Sequence, residues 1–343
     1  MDVSQRKSTI GWYRSPVKRE VLDALNRRSD LQGAFQTLGH LGLLTLSGAA
    51  AFYVAGNMSF PLVVPALLAV LFAHGTMHAF LLNGFHEFCH RTVFRTRALN
   101  TIFLYVFSFL GWYNPVLFWA SHQEHHKYTL HPPDDLEVVL PVKLTKRDFF
   151  KSAFIDPWKF WIVLKGVVRL SLGRLEGEWE NYLFPESAPE ARRRLFTWAR
   201  ITLFGHAALV VVSLALGVWL LPVLITFAPF YGGWLLFLCN NTQHIGLQDN
   251  APDYRLCTRT IILHPFLSFL YWRMNYHIEH HMYAAVPCYN LAKLHEAIKH
   301  DLPPCPVGLV AAWKEIGAIL KRQEADPTYQ YAPSLPSHAP ATT

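Results

Sequence analysis

Three long stretches of this chain carry no Asp, Glu, Lys or Arg: residues 31–86, 98–123 and 201–248. About 20 mostly apolar residues in a helix are enough to cross the hydrocarbon core of a bilayer. Only 16% of the residues in the chain are charged, whereas about 25% is usual for soluble domains. The sequence therefore predicts an integral, multi-pass membrane protein of the all-α class.

Turn and breaker residues divide these stretches into shorter segments. We predict four transmembrane helices, at roughly 34–56, 60–83, 201–221 and 222–240, because each of these segments is long enough to span a bilayer. The stretch 98–119 is interrupted by a turn-forming cluster at residues 111–115, and we interpret it as an in-and-out segment that enters the bilayer and returns. Residues 136–196 are mixed and charged, and we expect them to form a cytoplasmic helical cap.

Basic residues precede the first and third predicted spans, and such flanks usually face the cytoplasm. We therefore expect residues 1–30 to be a cytoplasmic arm, residues 31–325 to be the membrane domain, and the Pro-, Ser- and Thr-rich residues 326–343 to be a disordered tail. The net charge of +7 is explained by contact with anionic lipid, so no nucleic-acid partner is predicted. This topology implies an endoplasmic-reticulum membrane in a eukaryote or an inner membrane in a bacterium.

Histidines are concentrated in three clusters, HEFCH at 86–90, HQEHH at 122–126 and HIEHH at 277–281. Positions i, i+3 and i+4 of a helix share one face, so the histidines of each cluster point in a common direction. A further histidine follows the fourth predicted span, in the sequence NNTQH. All of them lie at cytoplasmic ends of the predicted membrane segments. The candidate metal ligands are His86, His90, His122, His125, His126, His244, His277, His280 and His281.

The first cluster also matches H-E-x-x-H, the signature of zinc proteases. A catalytic zinc site uses three protein ligands and a water molecule, which would leave most of these histidines unexplained. Imidazole also binds iron, copper and nickel, and nine imidazoles are enough for two metal ions. An intramembrane zinc protease stays as a distant alternative.

At these residues, over roughly 31–300, the chain resembles the integral-membrane fatty acid desaturase and hydroxylase superfamily. The resemblance implies two iron ions per chain, held by the nine histidines, with Asn240 acting through a water molecule. It also implies O2-dependent desaturation of a fatty-acyl or related lipid chain, with hydroxylation on the same site as the near alternative. Electrons would come from a separate donor such as cytochrome b5 or ferredoxin. The third cluster begins with His277 rather than Gln, and we find no fused cytochrome b5 domain, which argues against the front-end desaturases.

Polar residues in and around the clusters are candidates for orienting the metal-binding imidazoles. Carboxylates occur inside the clusters and directly after the second one, and an asparagine precedes the third. These candidates are Glu87, Glu124, Glu279, Asp134, its neighbour Asp135, and Asn275.

Three more histidines lie inside the predicted spans, His74, His78 and His206. At 1.5 Å per helical residue, His74 and His78 lie about 18 and 12 Å deeper than His86, which is too far to bind the same metals. A histidine pair across two spans can also hold a b-type haem, so a haem-binding quinone oxidoreductase is a second distant alternative. Polar residues inside a membrane more often line a substrate path or pair with one another.

Overall fold

The computed structural model describes residues 9–140, 142 and 144–336 of the 343-residue chain. Over this part the backbone is helical and forms no strand, with three isolated β-bridges between loops. The α-helices are α1 Arg19–Leu25, α2 Asp30–Asn57, α3 Val63–Ala79, α4 Leu81–His90, α5 Arg97–Leu110, α6 Pro115–Tyr128, α7 Lys146–Ala153, α8 Pro157–Ser171, α9 Gly177–Leu183, α10 Pro189–Ala215, α11 Leu220–Leu224, α12 Trp234–Asn240, α13 Tyr254–Cys257, α14 Pro265–Leu270, α15 His277–Met282, α16 Leu291–Ile298 and α17 Gly308–Ala325.

Three helical stretches are long and apolar enough to cross a membrane. They are α2, the run of α3 and α4 over Val63–His90, and α10. At most 28% of the apolar window of each stretch is buried inside the protein. Most of this apolar surface is therefore left for lipid, as expected for a multi-pass membrane protein. These helices correspond to the first three predicted spans.

The segment predicted as the fourth span, at roughly 222–240, is not one continuous helix, and the count of four spans stays a prediction. The chain there forms the short helix α11, a 3-10 turn at Ala228–Phe230 and the short helix α12. Pro222 and Pro229 lack the backbone N–H that an uninterrupted helix requires. Gly232 adopts a φ of +70°, and a Cβ at this position would lie 2.9 Å from the Phe72 carbonyl oxygen of α3. The segment is therefore a broken connection packed against α3.

Helices α5 and α6 are bent by 104° at the cluster that sequence analysis identified as a break. The Asn114 side chain accepts hydrogen bonds from the backbone N–H groups of Val116 and Leu117 and so caps α6, while Pro115 occupies its first turn. Both are favoured at helix N-termini. The two helices count as a fourth span only if the bent pair is taken as one, and the in-and-out path stays a prediction.

Helix α8, in the region expected to form a solvated cap, has an apolar exposed face. Trp158, Trp161 and Ile162 expose 65%, 55% and 56% of their surface, while Lys159 and Lys165 lie between and beyond them. A helix with such a surface is typical of a membrane interface. The segment is helical as expected, but this face is unlike that of a helix surrounded by water.

The two ends of the chain pack on the membrane domain as far as the structure describes them. In the expected tail, Tyr331 donates its backbone N–H to the Gly246 carbonyl, and the Gln330 amide donates to Asp249. Gln330 and Tyr331 therefore have hydrogen-bond partners in a distant loop, and the disorder of residues 326–343 stays a prediction. Residues 1–8 of the arm and 337–343 of the tail lie outside the described part.

The helices that carry the histidine clusters meet around a buried aromatic core. Phe85 and Phe88 of α4 are fully buried, and Phe88 packs against Phe107 of α5 and against Trp272, which follows α14. The opposite face of α4 carries His86 and His90. This packing fixes the rotation of α4 and brings its histidines towards α6 and α15.

We predict that Gly75→Ala destabilises the protein because of the close approach of α3 to the broken connection. A Cβ at Gly75 would lie 2.5 Å from the Tyr231 carbonyl oxygen and 2.4 Å from its ring. Overpacking of this kind costs about 1–3 kcal/mol, which thermal unfolding in detergent would detect as a lower Tm. Gly42→Ala in α2 is the matched control, since nothing lies within 4 Å of its Cβ position. Equal Tm values for the two variants would contradict the predicted contact.

Candidate metal centre

One group of five histidines joins three helices. In this group one ring nitrogen of each histidine lies within 4.8 Å of one ring nitrogen of all the others. Its members are His86 and His90 of α4, His122 and His126 of α6, and His280 of α15. The centre of this group is His122, whose Nε2 lies 2.7 Å from His86 Nε2, 2.9 Å from His126 Nε2 and 3.2 Å from His90 Nε2. Metal–nitrogen bonds of about 2.1 Å at right angles place neighbouring nitrogens about 3 Å apart. The group therefore has dimensions that suit one metal ion.

A second group lies directly beside the first. It consists of His244, His125 of α6 and His281 of α15, and one ring nitrogen of each lies within 4.8 Å of one ring nitrogen of the others. His277 belongs with them, since its Nε2 lies 3.0 Å from His244 Nε2 and 3.2 Å from His281 Nε2. The structure thus brings all nine predicted histidines together.

Helical periodicity explains how two clusters each serve both groups. In α6, His122 and His126 lie one turn apart and face the first group, whereas His125 lies between them and faces the second. In α15 the division is reversed, because His277 and His281 face the second group and His280 faces the first. Positions i and i+4 share a face that position i+3 only adjoins. The two groups are therefore adjacent.

The partners of the outer ring nitrogens fix which nitrogen carries the proton. The Nδ1 atoms of His86 and His122 lie 3.2 and 2.8 Å from the carboxylates of Glu87 and Glu137. His244 Nδ1 lies 2.9 Å from the Cys257 carbonyl. These oxygens are acceptors, so each Nδ1 donates its proton and the Nε2 atoms keep bare lone pairs.

Lone pairs therefore meet lone pairs inside both groups. His86 Nε2 and His122 Nε2, only 2.7 Å apart, cannot hydrogen-bond to each other in these tautomers. A cation between the nitrogens converts this repulsion into coordination. The residues present thus fit two metal ions bound by imidazole.

Burial keeps most of these imidazoles in the form that metals bind. For His125, burial acts in the same direction, but the hydrogen bond and the charge of Asp135 raise its pKa overall. Burial lowers the pKa of His244 to about 3, and it lowers the pKa values of His277, His280 and His281 well below the ordinary value. Neighbouring histidines act in the same direction, because like charges repel. Neutral imidazole is the ligand form of histidine.

Two acidic residues in the loop after α6 hold the second cluster from outside. Asp135 Oδ2 accepts a hydrogen bond of 2.8 Å from His125 Nδ1, and Glu137 Oε1 accepts one of 2.8 Å from His122 Nδ1. The other Glu137 oxygen accepts from the Ser121 hydroxyl. Carboxylates in such positions orient metal-binding histidines and raise their basicity.

Sequence analysis missed Glu137 altogether. It lies 15 residues after His122 in a loop, so no helical spacing connects the two residues. The signal available was the sequence HPPDDLE, in which a Pro-Pro turn is followed by three acidic residues. A turn here folds the loop back along α6.

The predicted orienting residues have different positions in the structure. Glu87 is where we expected it, with Oε1 3.2 Å from His86 Nδ1 and 3.8 Å from His280 Nδ1. Asp135, rather than its neighbour Asp134, is the one that contacts His125. The oxygens of Glu124 instead accept hydrogen bonds from Lys127 and Tyr182, so this carboxylate is not one of those that orient the imidazoles.

Glu279, Asn275 and Asn240 support the site less directly. The buried Glu279 contacts the hydroxyl of Thr260 and the ring of His295, so it anchors α15. Asn275 donates to the Ile261 carbonyl and accepts from Ser268, which fixes the chain ahead of the third cluster. Asn240 lines the cavity described next.

A cavity of about 210 Å³ adjoins both histidine groups. Its walls include Leu82, Asn83, Phe118 and Met274 together with His86, His122, His125, His244 and His277. A larger space of about 460 Å³, lined by Phe85, Trp112, Tyr113 and Leu117 among others, shares Phe118 and Glu137 with it. The histidine groups therefore face a space with both apolar and polar walls.

Two of the three intramembrane histidines are occupied within the protein, whereas the buried Nε2 of His78 has no hydrogen-bond partner among the described residues. Both ring nitrogens of His74 are hydrogen-bonded, to Ser47 and to the Leu224 carbonyl. Both nitrogens of His206 are likewise bonded, to Thr226 and to the Phe109 carbonyl. Neither ring offers a nitrogen to a haem, so these contacts argue against the haem alternative.

Membrane helices that carry a buried, multi-histidine centre are typical of a membrane metalloprotein, and comparison with known families identifies the class more closely. The family model described as "Fatty acid desaturase" matches residues 61–310, well over half of the chain. The chain belongs to the fatty acid desaturase family, as the histidine clusters indicated. This family membership replaces the zinc-protease interpretation of HEFCH.

One curated relative is the Delta(6)-fatty-acid desaturase fat-3 of Caenorhabditis elegans. It is 28% identical in an alignment of 236 residues that covers 60% of this chain. The chain spans about half of that relative's length, 52%.

We predict that Glu137→Ala weakens metal binding while Glu124→Ala does not. Loss of the Glu137 carboxylate frees His122 to rotate and change tautomer, and removal of such partners typically costs about 10–100-fold in metal affinity. Competition with a chelator measures this affinity directly. Glu124 is the matched control, because it lies in the same cluster as His122 but accepts hydrogen bonds from Lys127 and Tyr182. Similar losses in both variants would show that the contact with His122 is unimportant.

Proposed function

We propose that this protein is a membrane-bound, O2-dependent desaturase that introduces a double bond into a fatty-acyl or related lipid chain. The single observation that carries the proposal is the pair of adjacent histidine groups, with bare nitrogen lone pairs facing one another beside a cavity with apolar walls. Membership of the fatty acid desaturase family supports the reaction class. The similarity to a Delta(6)-fatty-acid desaturase supports a fatty-acyl substrate.

Two iron ions per chain are the proposed cofactor. Bound iron would supply the activation of dioxygen needed to remove two hydrogens from an unactivated pair of carbons, with two electrons from outside the chain. One ion would be held by the first group, His86, His90, His122, His126 and His280. The other would be held by His125, His244, His277 and His281, with Asn240 acting through a water molecule.

The protein's own residues perform the tasks around the metals. Glu87, Asp135 and Glu137 hold the outer ring nitrogens, so the metal-facing nitrogens stay deprotonated. The apolar walls of the cavity, such as Leu82 and Met274, exclude water from the place where the alkyl chain lies. This arrangement favours the reaction of a buried alkyl chain over that of solvent.

The orientation of the site follows from the charge distribution. Basic residues precede α2 and lie in the N-terminal part of α10, and by the positive-inside bias these ends face the cytoplasm. We therefore propose that the metal centre opens to the cytoplasmic side, where an external electron donor can reach it. His277 at the first position of the third cluster keeps our expectation that the protein is not of the front-end type.

Metal analysis tests the cofactor directly. We expect two irons per purified chain, and a clear loss of iron in His280→Ala, because His280 is one of five nitrogens of the first group. His300→Ala is the matched control, since His300 is exposed and outside both groups. One zinc per chain in place of iron, or full iron and turnover in His280→Ala, would refute the assignment.

Phe118 offers a test of where the alkyl chain lies. Its ring stacks on His122 at a centroid distance of 4.9 Å and separates the 210 Å³ cavity from the 460 Å³ space. We expect Phe118→Ala to join the two spaces and so to change the chain length accepted or the position of the double bond. Lipid profiling of an expressing host measures both.

Phe103→Ala is the control for this experiment. Phe103 stacks on Phe88 and Phe94 in the core and lines neither space, so it tests the effect of a lost aromatic ring alone. The same product profile in Phe118→Ala and the wild type would show that Phe118 does not border the substrate. Hydroxylated products from the wild type would instead favour the hydroxylase alternative.

A further inference from the structure

The nine histidines present two different faces. His86, His122, His125, His244 and His277 line the 210 Å³ cavity, whereas His90, His126, His280 and His281 are not among its walls in the described part of the chain. The cavity is the place for an alkyl chain under the proposed function. A reductant has to reach the metals by another route, because a protein cannot enter a cavity of this size.

An aromatic pair connects the second face with the protein surface. The partly exposed indole of Trp12 stacks on the ring of Tyr254, with centroids 4.2 Å apart and planes at 8°. The Tyr254 ring is buried and lies 5.5 Å from the ring of His281. Two short steps thus lead from the surface to a histidine of the second group.

Hydrogen bonds attach the same pair to the second cluster. Trp12 Nε1–H donates to the Lys127 carbonyl at 2.8 Å, and the Tyr254 hydroxyl donates to the His126 carbonyl at 3.1 Å. Lys127 directly follows His126 in the sequence. Both aromatic side chains are therefore linked to the chain that carries a histidine of the first group.

The segment that carries Trp12 is firmly held. Tyr13 donates its backbone N–H to the Pro252 carbonyl and its hydroxyl to Asp301 at 2.7 Å. The Arg255 guanidinium lies over the Tyr13 ring at 3.8 Å and is itself paired with Asp253 and Asp301. A buried ion-pair network of this kind fixes the position of the segment that carries Trp12.

Basic side chains surround the exposed edge of this pair. Arg14 interacts with Tyr254, and the Lys127 side chain is 59% exposed although Glu124 pairs with it. The segment Arg14–Arg28 carries five basic and two acidic residues. Such a surface attracts an acidic protein and steers its approach.

We propose that Trp12 and its basic surroundings form the docking site for an acidic one-electron carrier protein, and that the Trp12–Tyr254 pair conducts its electrons to the metal centre. The proposal depends on the proposed function. Each catalytic cycle would oxidise two reduced carriers by one electron each, and those two electrons, with two protons from water and two hydrogens from the substrate, reduce one dioxygen to two waters. Trp12 and Tyr254 undergo no net change.

Docking is tested first, without any need for catalysis. The probe is the soluble domain of a cytochrome b5, an acidic carrier, titrated onto the purified full-length protein in nanodiscs of uncharged lipid. Since tryptophans at interface centres are often among the residues that contribute most to binding, we expect Trp12→Leu to raise the Kd about tenfold, which corresponds to about 1.4 kcal/mol. Arg14→Glu should also raise the Kd, and this effect should diminish at high salt. Unchanged Kd values in both variants would overturn the docking site.

Conduction is tested by comparing two reductants on the metal-loaded protein. We expect Trp12→Leu to slow reduction of the metal centre by the saturating carrier, while reduction by dithionite, a small diffusible reagent, keeps the wild-type rate. Trp12→Phe keeps the stacked ring and should restore most of the carrier-driven rate. Trp119→Leu is the matched control, because Trp119 also contacts a histidine of the site, His90 at 5.3 Å, from another direction.

The outcomes separate this inference from the proposed function. Equal slowing with carrier and dithionite in Trp12→Leu would mean that the variant only disturbs the metal centre, and a wild-type carrier rate would mean that electrons enter elsewhere. Either result overturns the conduction route. If the protein held no iron, the proposed function would fail at the metal analysis, while the Kd values would still decide the docking site.

Discussion

Mutual repulsion among buried, neutral imidazoles governs the centre of this molecule. Glu137 accepts a hydrogen bond from the outer N–H of His122, and the Cys257 carbonyl accepts one from the outer N–H of His244. The inner nitrogen of each ring is left with a lone pair and lies about 3 Å from the inner nitrogen of a neighbouring histidine. For His244, burial removes the alternative of protonation, since it lowers the pKa of this ring to about 3. Under the proposed function, bound metal is therefore part of the folded state, and its binding energy stabilises the packing of α4, α6 and α15.

The membrane helices and the metal centre impose opposite demands on one chain. The spans need long apolar surfaces, whereas the centre needs nine polar rings and their acceptors in a small volume. The chain satisfies both by placing the histidines at the ends of membrane segments, as in α4, where the aromatic core around Phe88 and Trp272 lies on one face and His86 and His90 lie on the other. The connection 220–240 stays broken because it packs closely on α3 rather than crossing independently.

Sequence patterns predicted most of what is periodic and little of what depends on loops. The three spans and the nine histidines follow from helical spacing and charge-free length, and the structure brings these histidines together. Glu137 was missed and Glu124 was misplaced for the same reason: the path of the loop after α6, rather than proximity in sequence, decides which carboxylate meets a ring nitrogen. Hydropathy did not indicate that the segment of the predicted fourth span is broken, because it does not register the helix-breaking effect of Pro222, Pro229 and Gly232.

The division of the histidines into two faces links the fold to the proposed reaction. An alkyl chain and a protein reductant cannot approach the same side of a small centre, because one requires an apolar, water-free space and the other a charged, aqueous surface. The bend between α5 and α6 places Phe118 and the cavity on the first side. The N-terminal segment, through Trp12 and its contacts with Tyr254 and Lys127, covers the second. Helix α6 carries histidines that reach both faces, His122 on the cavity side and His126 on the Trp12 side, so a single helix connects the two approaches.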